Sequence, residues 1–219
     1  MRSQRSFSLI EVVIASTILF VLIAIGLGVA ATASDAVGDG MTIAQTSDTV
    51  QSMESVFDNQ LRGAGQMYLV DNNGDGSFDT IQFQSVTGYD YAGAGPKFGT
   101  LRALKFSYET GETNNGTDDD RDGLVDEGYL ELREDRNGDS DTTDADEQVA
   151  ILVRNVLEGV TMNFIQANGT VSTAASPTSA DTGLQITFSI ARRLPTRQEV
   201  ANQVHTESRT MVLSLRNLN

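Results

Sequence analysis

Phe7-Ser8-Leu9-Ile10-Glu11-Val12-Val13-Ile14-Ala15 opens an apolar run that decides the architecture of this chain. After Glu11 no charged residue occurs until Asp35, so the 23 residues 12–34 are uncharged and mostly apolar. About 20 apolar residues cross the hydrocarbon core of a bilayer as a helix. The preceding segment, 1–6, is polar and carries Arg2 and Arg5. That favours a cytoplasmic N-terminus, with everything beyond residue 35 outside. Glu11 is the anomaly. A carboxylate at the edge of a membrane segment is costly, and such residues usually have a function and a partner. A plain signal-anchor helix does not explain it. Neither does a secretory signal peptide cut after Ala33, although Ala31-Thr32-Ala33 fits the small-residue cleavage pattern.

The order of basic leader, Phe7, Glu11 and apolar helix resembles the N-terminus of type IV pilins and pseudopilins. The resemblance implies a leader at 1–6 and cleavage between Ser6 and Phe7 by a prepilin peptidase. It also implies N-methylation of Phe7, and makes Glu11 the fifth residue of the mature chain. Ser6 stands where the family usually has Gly. In an assembling filament Glu11 of one subunit would pair with the Phe7 amine of its neighbour. A charge pair in an apolar bundle is stable when both partners are present, so it would set axial register. The implied partners are other pilin-like subunits, the peptidase and the inner membrane.

Outward from that run, the helical pattern continues. Val50, Met53, Phe57, Leu61 and Ala64 recur at three- and four-residue spacing, one apolar helical face. A helix from Phe7 to about Arg62 makes a rod of roughly 80 Å. Gly26, Gly28, Gly38 and Gly40 are expected to bend or loosen it, because Gly in a helix costs about 1 kcal/mol relative to Ala. The expected division is a leader (1–6), a membrane half (7–34), an amphipathic half (35–63) and a β-rich head (64–219). Leu61-Arg62-Gly63-Ala64-Gly65, the stretch from Val149 to Phe164 and the ending from Arg209 to Leu218 resemble PilW-type minor pilins and the J-type minor pseudopilin of type II secretion.

Past residue 65 the pattern shifts to short strands at 67–70, 78–84, 100–108, 129–133, 149–153, 159–166, 184–191 and 210–216. Gly, Asn and Asp clusters separate them. Gly93 to Gly99 and Ser172 to Gly183 read as loops. The fold class is therefore α+β: a long N-terminal helix laid against an antiparallel sheet, lollipop in shape.

Composition bounds the chemistry. The 219 residues contain no Cys and one His, and the net charge is −15. That excludes disulfides, thiol catalysis and multi-His metal sites within one chain. It also argues against nucleic acid, whose phosphates demand clustered Lys and Arg. No P-loop, nucleophile elbow or zinc-protease motif occurs, and the expected role is structural rather than enzymatic. Between Glu109 and Glu147 lie sixteen acidic and three basic residues, which is −13 of the −15. Two segments there and upstream have oxygen ligands at alternate positions with a Gly sixth, the first half of a calcium loop. One offers Asp71, Asn73, Asp75, Ser77 and Asp79. The other offers Asp118, Asp120, Asp122, the Leu124 carbonyl and Asp126, or Glu127 in place of Asp126 if the turn is tighter. Asp135, Asn137, Asp139 and Asp141, followed by Asp144 and Asp146, form a looser third copy. None has Glu at the twelfth position.

Two functions fit. One is a minor pilin or pseudopilin of a type IV pilus or type II secretion filament. The other is a membrane-anchored, calcium-binding surface protein or adhesin outside any filament. Glu11 favours the first, because an anchor has no use for it.

Overall fold

A computed structural model describes residues 8–72, 74–194 and 203–215. Among the described residues, helix α1 (Leu9–Leu61) leads into nine strands: β1 (Ala64–Val70), β2 (Thr80–Asp90), β3 (Gly95–Phe98), β4 (Arg102–Tyr108), β5 (Glu127–Glu134), β6 (Gln148–Gln166), β7 (Val171–Ser172), β8 (Asp181–Arg193) and β9 (Val204–Ser214). The sheet order is β1-β2-β4-β5-β6-β8-β9, with β3 paired to β2 and β7 to β6, and every pairing is antiparallel. The protein is an α+β lollipop.

The C-terminal half of α1 lies on one face of the sheet. Its buried residues are Thr42, Thr46, Val50, Met53, Phe57 and Leu61, spaced by three or four as one helical stripe. Every second strand residue meets that stripe: Leu184, Ile186, Phe188 and Ile190 from β8, and Val160, Met162 and Phe164 from β6. The other face of β8 and β9 is polar, with Thr187 bonded to Thr210 at 3.0 Å and Ser189 to Ser208 at 2.7 Å. One sided burial of this kind is what an antiparallel sheet with one wet face requires.

Several sequence expectations are corrected here. The helix does not unwind at Gly26, Gly28, Gly38 or Gly40 and runs unbroken for 53 residues. Four isolated glycines lower helix propensity without removing a single backbone hydrogen bond, so a long helix absorbs them. The segments expected at 149–153 and 159–166 are one strand, β6. Irregular pairing between Leu157 and Thr161, with positive φ at Asn155 and Gly159, interrupts the alternation without ending the strand. Gly95–Phe98 is not a loop. It pairs with β2 as a short edge strand that can carry Pro96. Gly65 has a specific reason to be Gly, since a Cβ there would lie 2.4 Å from Val86 Cγ2. It bulges β1 just where the chain leaves the helix. The free edge of β1 is partly covered, for Leu69 N–H donates to the Ala175 carbonyl at 2.6 Å.

Candidate functional site

The acidic segment is not one loop. Strand β5 runs through it, leaving loops 109–126 and 135–147 at its two ends, and a third acidic loop, 71–79, joins β1 to β2. The three copies share one backbone design. The sixth residue donates its N–H to the first Asp: Gly76 to Asp71 at 2.9 Å, Gly123 to Asp118 at 2.9 Å and Ser140 to Asp135 at 3.0 Å. The seventh donates to the fifth: Ser77 to Asp75 at 2.7 Å, Leu124 to Asp122 at 2.8 Å and Asp141 to Asp139 at 3.1 Å. Fourth and sixth residues have left-handed φ in all three, including the non-glycines Arg121 and Ser140.

The loops differ in what they gather. Around the second, carboxylate oxygens of Asp118, Asp120 and Asp122 lie within 4.8 Å of one another, and so do those of Glu112, Asp120 and Glu127. Asp126 is turned elsewhere and accepts the N–H groups of Asn115 at 3.0 Å and Gly116 at 2.8 Å. Glu127, one residue further on, is the one that faces the cluster. Glu112 has no place in the alternating spacing of these loops. It holds the loop by accepting the Asp119 and Asp120 N–H groups, each at 2.9 Å, and that of Asp126 at 3.2 Å. Around the third loop Asp135, Asp139 and Glu147 converge within 4.8 Å. Asp144 instead accepts the Asn137 amide at 2.8 Å. The first loop gathers no such trio among the described residues. Asp71 accepts from Gly74 as well as Gly76, and Asp79 accepts from the Asn72 N–H and side-chain amide. Burial raises the Asp79 pKa, against the hydrogen bonds from Asn72 and Thr80. Asn73 lies outside the described residues.

Two of these carboxylates are fully buried and incompletely paired. Neither Oε atom of Glu127 has a hydrogen-bond partner, and Oε1 of Glu147 has none, while its Oε2 accepts the Asp144 N–H at 3.0 Å. Oδ1 of Asp118 is also unpartnered. The nearby guanidinium groups reach backbone instead. Arg193 donates to the Asp122 carbonyl, and Arg133 to the carbonyls of Thr142 and Asp144 besides its ion pair with Glu131 at 3.1 Å.

Burial first, then the Asp122, Glu112 and Asp120 carboxylates, push the Glu127 pKa from 4.5 up to about 7. A folded-state pKa above the unfolded one means that the folded protein holds the extra proton between those values. The stability linked to this group is full below about pH 4.5 and is lost as pH rises through about 7. In chelator, Glu127→Gln should therefore gain on the wild type in melting temperature between pH 5 and pH 7.5. A constant offset across that range would show that Glu127 does not titrate there.

The other functional region is the start of α1. Ser8 and Glu11 form a capping box: Ser8 N–H donates to Glu11 Oε2 at 2.9 Å, and Glu11 N–H to Ser8 Oγ at 3.3 Å. The Ser-x-x-Glu spacing signals this motif, a local role for Glu11 separate from assembly. Residues 9–36 are exposed along their whole length, and this part of α1 is long and apolar enough to cross a membrane. Ser6 and Phe7 lie outside the described residues.

Residues 1–27 match the prokaryotic N-terminal methylation motif. This is a type IV pilin-like signal of the kind that a prepilin peptidase processes. The methylation motif takes in the polar leader, Glu11 and most of the bare apolar helix, and it ends before the head begins to cover α1 at Thr42. No curated protein matches the chain. The motif and helix together fit a membrane-anchored, single-pass protein.

Proposed function

We propose that this protein is a minor pilin or pseudopilin, a structural subunit of a type IV pilus or type II secretion filament. The observation that carries this reading is the methylation motif running directly into a helix that the head leaves bare from residue 9 to residue 36. An apolar helix of that length needs lipid before assembly and neighbouring helices after it. The rigid attachment of its other half to the sheet lets the head follow wherever the helix is placed. Before assembly the protein sits in the inner membrane with its leader in the cytoplasm and its head outside. The prepilin peptidase cuts between Ser6 and Phe7 and methylates the new amine, and other pilin-like subunits are the partners.

Mass spectrometry of the mature protein tests this. The expected N-terminus is Phe7 with one added methyl group. A terminus at Ser34 would mean ordinary signal-peptide removal, and an uncut leader would mean a plain membrane anchor. Either overturns the proposal.

A further inference from the structure

The central strand β5 has a carboxylate cluster at each end. Glu127 is its first residue and belongs to the cluster with Asp120 and Glu112, while Asp135, one residue beyond its end, belongs to the cluster with Asp139 and Glu147. Acidic clusters alone do not make a site, because solvated carboxylates are common on protein surfaces. The buried carboxylates separate these two from an ordinary acidic surface. Glu127 is fully buried, and both its oxygens lack a hydrogen-bond partner. Glu147 is fully buried too, with Oε1 lacking one. A buried, unpaired carboxylate costs several kcal/mol unless a cation or a proton compensates it. Among the described residues no side-chain cation is bonded to either carboxylate. The structure shows Arg193 and Arg133 holding the loops by their backbone carbonyls.

We infer that the head binds two calcium ions, one at each end of β5. The first is held around Asp120, which joins Glu112 and the buried Glu127 in one trio and Asp118 and Asp122 in another, and the second by Asp135, Asp139 and Glu147. The donors are all oxygens, mostly carboxylates, which is a hard-cation set. Irregular loops with several monodentate Asp residues suit the flexible six- to eight-coordination of calcium better than the strict octahedron of magnesium. Glu127 and Glu147 supply the inner carboxylate of each site. Glu112 orients the first loop by accepting its N–H groups and adds negative charge beside Asp120. The loop at 71–79 has the same turn but lacks a buried unpartnered carboxylate, so no ion is assigned to it. This inference is independent of the filament reading, since it concerns the head alone.

Bound ions would fasten both ends of the strand at the middle of the sheet. The β5–β6 pairing has three register irregularities, after Gly128, Leu130 and Leu132, so this ladder is where added restraint has most to do.

The test uses the detergent-solubilised full chain. Calcium titration by calorimetry should give two ions per chain. Glu127→Gln and Glu147→Gln keep side-chain shape and remove the charge. Each should weaken the affected site by at least about tenfold, the loss that even outer-shell changes cause, and leave the other site unchanged. Extracellular modules bind calcium at about 0.1–1 mM, so a hundredfold excess means melts in about 10–100 mM calcium. At a hundredfold excess over Kd each site should raise the melting temperature by roughly 5 °C or more relative to chelator. The double variant should fold in chelator at least as well as wild type and gain clearly less from calcium. Binding of one ion per chain overturns the pair. Variants that retain the full calcium shift overturn the ligand assignment. A shift reproduced by sodium at matched ionic strength, or by magnesium, shows screening or another cation and overturns the calcium sites.

Discussion

Phe57→Ala should destabilise the folded protein by about 3–5 kcal/mol, the usual cost of emptying a Phe site in a well-packed core. Phe57 is fully buried, and its ring lies 6.2 Å from that of Phe188 on β8, at an interplanar angle of 37°. Met53 and Leu61 flank it one turn away on each side, and both are buried in the same cluster. A cavity at this point therefore opens at the middle of the helix–sheet contact, where neighbours on a rigid helix cannot collapse to fill it. For a chain of this size the loss corresponds to roughly 6–20 °C in melting temperature. Met41→Ala is the matched control. Met41 lies on the same helix but is 63% exposed, so its truncation should change stability by no more than about 0.5 kcal/mol. Equal effects from the two variants would mean that helix propensity, not packing on the sheet, sets the stability. A neutral Phe57→Ala would mean that the head folds without the helix.

That contact was legible in the sequence because it is local. Val50, Met53, Phe57 and Leu61 repeat at helical spacing, and the burial of all four follows from the period. Leu184, Ile186, Phe188 and Ile190 were legible in the same way at spacing two. The misses occur where the period was broken or where a partner lay far off in the chain. Asn155 and Gly159 put left-handed residues inside β6, so a strand of 19 residues reads as two. Pro96 and three nearby glycines hide β3, which forms only because β2 extends far enough to pair with it.

The acidic loops show the same division. Their turns were legible from alternating Asp and Gly, since each turn is closed by hydrogen bonds within seven residues. Which carboxylate faces the cluster was not. Spacing placed Asp126 at the ninth position of its loop, but the N–H groups of Asn115 and Gly116 claim it, and Glu127 takes the inner place. Glu112 carries no positional signal at all, because it joins the loop by folding back across six residues. Gly128, next to Glu127, is hemmed in by Ser107 and Phe106. A Cβ there would lie 2.3 Å from the Ser107 carbonyl oxygen, so the strand beside Glu127 has no room for a side chain on that face.

The second large effect is expected at Glu11, where two roles compete. The capping box with Ser8 satisfies backbone N–H groups that the start of any helix leaves open. The filament reading instead requires the charge, as partner to the Phe7 amine of a neighbouring subunit. Glu11→Gln separates them, since Gln also closes a capping box but carries no charge. Glu11→Ala removes both. Membrane insertion should survive both changes, because each makes the segment more apolar or less charged. Leaving one member of a buried ion pair alone costs about 3–5 kcal/mol, which is roughly two to three and a half orders of magnitude in an association constant. Co-purification with the other pilin-like subunits should therefore fall by at least about a hundredfold for Gln and Ala alike. If Gln assembles and Ala does not, the residue serves as a cap. If both assemble like wild type, Glu11 is an edge residue turned to the headgroups, and register in the filament is set by the shape of the bare apolar helix instead.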